Sequence, residues 1–437
     1  MSAPAPAVPT PVAPLKAGGN IRWGVCALLF FATTINYIDR QVLSILKPLL
    51  EDEFGWSEAD YGWIASLFTF GYALMMPIAG RLIDKLGARI GYALAVAAWS
   101  LASMSHAAAS SVVHFGIARF ALGMTEAANF PGAVRTVADW FPQRERSLAT
   151  GIFNSGSNVG LVLAAGAPFV ALSLGWQVAF LLTGLLGLLW LIPWLFWYRR
   201  PEEHPRLKQS ELAYIVAERP HETARRIPYR ELLAHRGSWA FMAGKFMTDP
   251  VWWFFIFWIP SFLHSRFDVN LTAMGPPLLV IYLMADVGSI GGGWLFKGLK
   301  ARGWSANAAR KGAMAICAAC ALPVTGILFV ESVWPAVMLI AVAAAAHQGW
   351  SANLFTLVSD TTPRPAVASV VGLGGLCGAA GGVLIAPLVG YWLDYSNANY
   401  IPLFLIGATA YLSALLIIQL IVPQLEQPVA MELEESA

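Results

Sequence analysis

Charge is scarce in this chain. Only 12% of its 437 residues are Asp, Glu, Lys or Arg, about half the ~25% of an ordinary soluble domain. So little charge cannot furnish the polar surface that a water-soluble fold of this length needs. Cysteine is rarer still, with four residues, which excludes a secreted disulfide scaffold. Neither sign of charge is in excess: the formal net charge is +2, and no basic domain offers itself to nucleic acid. The seven histidines lack metal-ligand spacing. The glycine-rich stretches at 288–293 and 372–382 precede no strand-to-helix unit, so they are not phosphate loops. No cofactor and no metal are expected. With no nucleophile–base constellation in view, no enzymatic activity is expected either. What the chain has in abundance is apolar residues, 57% of the total, with a mean hydropathy of +0.60. That excludes general disorder and points to a polytopic membrane protein.

Apolar stretches fall at roughly 22–48, 58–80, 90–108, 112–138, 147–172, 177–198, 238–263, 272–297, 311–330, 334–358, 366–393 and 401–422. Each is long enough to cross a bilayer of about 30 Å as a helix. The expected fold is all-α, with twelve transmembrane helices in two six-helix bundles. Residues 1–20, rich in Pro and Ala, read as a disordered tail. The N-terminal bundle then covers 21–199, a polar linker 200–236, the C-terminal bundle 237–424 and a second tail 425–437. Ser210, followed by the run from Glu211, suggests a short capped interfacial helix in the linker. If the N-terminus is inside, 22 of the 28 basic residues face the same side. Both termini are therefore expected in the cytoplasm. The halves repeat weakly: Asp139-x-x-Pro142 with Gly151 and Gly160 recurs as Asp360-x-x-Pro363 with Gly372 and Gly381. Parallel six-helix repeats with a midplane site are a known transporter design.

The charges inside the spans are the candidate functional residues, because a charge at membrane depth is costly unless it lines a cavity or has a partner. Span one carries Tyr37, Asp39 and Arg40. Adjacent helical residues point about 100° apart, so Asp39 and Arg40 must find separate neighbours. They form either a structural ion network or an anion site with a titrating carboxylate. Span four carries Arg119 and Glu126 on nearly one face, about 10 Å apart along the axis. An arginine in a cavity suits a carboxylate or phosphate ligand, and burial of a carboxylate without a fixed cation favours its neutral form. In span seven Lys245 and Asp249 are spaced to pair. Trp252, Trp253 and Trp258 fit an interfacial belt, yet Trp253 lies so near Pro250 that it is expected to face the cavity and pack on a sugar ring. Gln348 and Asn353 in span ten, and Asn154, Ser157 and Asn158 in span five, suit polyol recognition and equally suit interhelical hydrogen bonds. Asp286 in span eight has no evident partner. Cys317 and Cys320 in span nine read as packing. The loop after span two holds Gly80, Asp84, Lys85, Gly87 and Arg89, with Asp139 and Arg144 placed to meet it from the fourth-to-fifth span turn.

That loop matches the G-x-L-x-D-[RK]-x-G-x-[RK] signature of the major facilitator superfamily, where it acts as a cytoplasmic latch. N-Y-I-D-R in span one, R-x6-E followed by A-A-N-F-P-G in span four, and D-W-F-P-x-R-E-R-S entering span five resemble its anion:cation symporter family. K-F-M-T-D-P-V-W-W-F-F-I-F-W-I-P at 245–260 and H-Q-G-W-S-A-N-L-F-T-L-V-S-D at 347–360 resemble the bacterial hexuronate transporters of that family. The resemblance implies a proton-coupled symporter that imports a sugar acid such as glucuronate or galacturonate by alternating access, as a monomer in the lipid bilayer. Alternatives are an aldonate, dicarboxylate or aromatic-acid transporter, or a non-transporting sugar-acid receptor. By the same resemblance, Tyr37 and Arg40 contact the anion, Arg119 interacts with Asp39, and Asp39 and Glu126 couple protons. Ser157 and Phe355 stand where galactonate transporters have glutamine and tryptophan, which argues against galactonate.

Overall fold

The computed structural model describes residues 19–216, 228–361 and 367–425, apart from the side chains of Asp84, Gln143, Arg144, Ser147, Ser359, Asp360 and Ala368. The described residues form helices and turns with no strand among them. The first half contains α1 (Ile21–Phe54), α2 (Glu58–Ser105), α3 (Val112–Glu126), α4 (Asn129–Trp140), α5 (Gln143–Leu163), α6 (Ala167–Leu174) and α7 (Trp176–Trp197). Two short linker helices follow, α8 (Gln209–Val216) and α9 (Tyr229–Ala234). The second half contains α10 (Arg236–Phe267), α11 (Gly275–Ala301), α12 (Ala306–Ala321), α13 (Val333–Thr361), α14 (Val367–Tyr395) and α15 (Ile401–Ile421). Large apolar side chains point outward on many of them, for example Phe196, Trp294 and Leu420, as expected where lipid replaces water.

Eleven helices are long and apolar enough to cross a membrane, against the twelve expected. The difference is the fourth span. It is present as α3 and α4, separated at Ala127 and Ala128. Pro131 has no N–H to give to the Ala127 carbonyl and its ring crowds the preceding turn, so the helix restarts. In α2 the opposite happens: spans two and three are joined into one run, with Gly87 (φ 75°, ψ 154°) as the break. That backbone conformation strains any residue with a Cβ.

The two halves meet tightly at the end of the molecule away from the linker. The Asp394 carboxylate of α14 accepts hydrogen bonds from the Glu58 and Ala59 amides at 2.9 and 2.8 Å, capping the start of α2. Lys47 of α1, fully buried, pairs with Glu51 at 2.7 Å and Glu58 at 2.6 Å. Trp258 of α10 donates to Glu58 at 3.3 Å. Tyr61 and Ser66 of α2 donate to the Phe257 and Val383 carbonyls. A Cβ at Gly62 would lie 2.7 Å from the Ala386 carbonyl, so α2 and α14 touch backbone to backbone there. Between described residues, the side-chain bonds joining the halves lie at this end and at mid-depth, where Gln41 donates to the Ile256 carbonyl and Asn158 to Asp286.

The linker helix α8 is a surface helix, with Gln209, Ser210, Ala213 and Val216 exposed and the opposite face held against the protein. Glu211 is fully buried and takes the Arg22 guanidinium at 2.9 Å, while Arg22 also reaches Glu145 at 2.8 Å and Tyr214 donates to Glu145 at 2.7 Å. The first linker helix is therefore docked on the N-terminal half.

Candidate functional site

The centre of the site is Arg40, 4% exposed at mid-helix in α1. Its Nε and Nη2 donate to one oxygen of Glu126, at 3.2 and 3.0 Å. Glu126 is the last residue of α3, directly before the break made by Pro131. Four rings surround the guanidinium, with Tyr37 at 4.5 Å, Phe68 at 5.1 Å, Tyr72 at 5.3 Å and Trp253 at 5.6 Å from its central carbon. The negative faces of aromatic rings stabilise a desolvated cation. Three rings come from α1 and α2 and the fourth from α10, so the collar is assembled from both halves. Trp253 also stacks on Phe257, with centroids 5.5 Å apart.

Asp39 and Arg119 are beside this pair but not with each other. Asp39 Oδ1 accepts from Ser103 Oγ of α2 at 2.7 Å, and its Oδ2 has no hydrogen-bond partner. Arg119 gives both terminal nitrogens to the Arg40 carbonyl at 3.2 Å, and its Nε is unpartnered. Asp39 and Arg119, paired by resemblance, share no hydrogen bond here and interact by charge attraction at longer range. Arg40 takes the carboxylate of span four, and a neutral hydroxyl holds Asp39. The second oxygen of Glu126 is also buried without a partner.

In the second half, Lys245 and Asp249 pair at 2.6 Å, as their spacing predicts, and the ammonium lies 4.8 Å from the centre of the Phe355 ring. Asp249 and Trp253 are four residues apart and share a face of α10, which places this pair one turn from the collar, toward the linker. Gly378 of α14 has no Cβ to collide with the Asp249 carboxylate.

Other expected contacts lie elsewhere. Asn353 is engaged in packing: its amide donates to the Gly292 and Gly349 carbonyls at 2.9 Å, and its oxygen accepts from Arg310 at 3.1 Å. Close approach of α11 and α13, where a Cβ at Gly292 would lie 2.5 Å from the Gly349 carbonyl, brings those partners together. Gln348 is half-buried and Asn154 exposed, one turn along α5 from Asn158. Asp286 does have a partner, Asn158. The tryptophans of span seven face inward: Trp252 stacks on His347 at 5.0 Å, and Trp258 is fully buried. Among the latch residues, Gly80 is open, Lys85 exposed, and Arg89 donates to the Leu195 carbonyl at 2.7 Å. Asp139 pairs with Arg135 at 3.3 Å. The side chains of Asp84 and Arg144 lie outside the described residues.

Sequence reasoning missed Phe68, Tyr72, Ser103 and Thr183. Phe68 and Tyr72 are spaced four apart on a span adjoining span one, a visible signal for a shared face. Ser103 and Thr183 carried none beyond being hydroxyls in apolar runs.

A family model described as the Major Facilitator Superfamily matches residues 29–386. The chain belongs to the major facilitator superfamily. It is a transporter of that fold and not an enzyme. It is similar to the hexuronate transporter of Escherichia coli (strain K12), with 32% identity over 406 residues covering 91% of this chain and 93% of that one. It is also similar to the galacturonate transporter of Dickeya chrysanthemi, with 34% identity covering 63% of this chain and 81% of that one. The inward open conformation of the xylose transporter XylE from E. coli shares the fold, with a TM-score of 0.69 at 14% identity, covering 91% of this chain and 95% of that one. In this superfamily member, then, a buried arginine–glutamate pair occupies the junction of the two halves.

Proposed function

We propose that this transporter imports a sugar acid anion, a hexuronate such as glucuronate or galacturonate, together with protons across a bacterial inner membrane. The observation that carries the reading is the Arg40–Glu126 pair inside an aromatic collar shared by both halves. Relatives that transport hexuronate and galacturonate support the substrate class.

The chemistry follows from the pair. While Glu126 is ionised it occupies Arg40. Protonating it cancels the charge attraction and releases a guanidinium whose planar fork matches a carboxylate. The substrate carboxylate then takes the place of Glu126, and Trp253 and Tyr37 offer ring faces to the sugar. Lys245 adds a second cation for hydroxyl or carboxylate oxygens, with Gln348 and Asn154 as the further polar groups of the cavity walls. Asp39 is the second proton carrier. With the linker and both termini cytoplasmic, the sealed end carrying Lys47, Glu58 and Asp394 is the outer one. The conformation described is then outward-closed, from which substrate leaves inward. The protein works as a monomer, and its latch residues Gly80, Asp84, Lys85, Gly87, Arg89, Asp139 and Arg144 act in conformational change, not in binding.

The test is a thermal-shift panel of glucuronate, galacturonate, aldonates, dicarboxylates and aromatic acids, followed by uptake in proteoliposomes. Hexuronates are expected to stabilise the parent protein. Arg40→Ala is expected to abolish that stabilisation and pH-dependent uptake. Normal uptake by Arg40→Ala overturns the anion-site assignment, and an absence of counterflow in the parent overturns transport of these acids.

A further inference from the structure

Asp39 is 1% exposed, and among the described residues no charged group hydrogen-bonds it. On its own helix Arg40 is bound to Glu126 of α3. From α3, Arg119 gives both terminal nitrogens to the Arg40 carbonyl and reaches Asp39 by charge attraction alone. From α2, the imidazole of His106 turns its Nδ1 to the Ala102 and Ser103 carbonyls at 3.0 Å and stacks on Phe180. From α7 comes only a neutral group, Thr183. Two hydroxyls serve Asp39: Ser103 Oγ donates to it at 2.7 Å, and Thr183 Oγ1, 3.2 Å from Ser103 Oγ, is close enough to interact with the carboxylate as well.

We propose that Ser103, backed by Thr183, is the positioning residue of Asp39: a hydroxyl pair that holds the carboxylate clear of Arg119 and serves it in both protonation states. The inference rests on the reading that Asp39 carries a coupled proton. A hydroxyl donates one hydrogen and accepts others. With Asp39 ionised, Ser103 donates to it, and this charge-assisted bond is the stronger of the two arrangements. With Asp39 neutral, its own O–H donates to Ser103 Oγ, and Ser103 turns its hydrogen to Thr183 Oγ1. Ser103 keeps its own hydrogen throughout, so the proton gained and lost belongs to Asp39 alone. An arginine in the same place would fix Asp39 as an anion, whereas a hydroxyl lets it titrate without displacing a charged partner. Loss of the hydroxyl removes more support from the ionised form than from the neutral one, so Asp39 would keep its proton to higher pH.

The experiment measures uptake of the stabilising hexuronate against external pH in proteoliposomes, with rates normalised to folded transporter. Ser103→Ala is expected to raise the pH of half-maximal uptake by about one unit, a tenfold change in proton affinity. Ser103→Thr restores the parent profile. Ser103→Cys, a weaker donor, gives a smaller shift in the same direction and serves if the alanine variant does not fold. Ser100, one turn away and buried without a hydrogen-bond partner, provides the control: Ser100→Ala leaves the profile unmoved. An unmoved Ser103→Ala, or a Ser100→Ala that shifts equally, overturns the proposal. Asp39→Asn separates the two levels. If it retains the parent pH dependence, the coupling role of Asp39 is wrong. If it loses that dependence while Ser103→Ala matches the parent, only the positioning role is wrong.

Discussion

Each half of the molecule buries a cation–carboxylate pair at mid-depth, and the two are built differently. Arg40 and Glu126 come from α1 and α3, 86 positions apart in sequence. Lys245 and Asp249 are successive turns of α10. A single helix suffices to bring the second pair together, and it survives any rigid displacement of α10. The first exists only while the packing of the N-terminal half holds α1 against α3, and the ring collar around its arginine is completed by Trp253 of the other half. A pair made by tertiary contact can be rearranged by protonation and by the approach of another helix. A pair made within one helix is a fixed fitting. Under the proposed proton-coupled cycle, the difference favours coupling through the N-terminal pair and affinity tuning by the C-terminal one.

Three substitutions probe that division, in falling order of effect. Glu126→Gln keeps a hydrogen-bonding side chain but no titrating group. With an imposed gradient of one pH unit, worth about 1.36 kcal/mol per proton and so about tenfold accumulation for each proton coupled, the variant should lose the accumulation owed to Glu126. It should still exchange labelled for unlabelled substrate. Accumulation equal to the parent would move coupling away from this pair. Lys245→Met should raise the half-saturating concentration roughly tenfold, the equivalent of one charge-assisted hydrogen bond of ~1.5 kcal/mol, and leave the pH profile in place. A shifted pH profile in this variant would erase the contrast between the halves. Asn353→Ala should lower stability by about 1–3 kcal/mol, because it strips Arg310 and two carbonyls of a buried partner. This is read as a lower melting temperature with unchanged affinity in the folded fraction. A large affinity loss would return Asn353 to the substrate contacts.

These contrasts also mark what was legible in the sequence. Hydropathy and charge revealed the spans, because apolar length is a local property, and they singled out Arg40, Glu126, Lys245 and Asp249, because a charge at membrane depth stands out in any apolar run. The i, i+4 pair was readable with its partner named. The partners of Asp39, Asn353 and Asp286 were not, since each bond crosses between helices whose facing sides depend on packing. Asp39 meets Ser103 from 64 positions away, and Asp286 meets Asn158 from 128. The split of span four was foreshadowed by Pro131, but a hydropathy window averages over a proline. Resemblance paired Asp39 with Arg119; in this conformation the two interact through charge alone, and the hydrogen bonds of Arg119 go to a backbone carbonyl.

The Asp394 cap on α2 has a consequence for how the transporter meets its surroundings. A carboxylate against the amides of a helix N-terminus is an electrostatic contact, and this one sits at an exposed edge. Mobile ions screen such contacts over about 10 Å at 0.1 M and 3 Å at 1 M. This seal should therefore loosen in brine and tighten in dilute medium, so that the empty carrier's resting balance is sensitive to the ionic strength of the solution bathing that end.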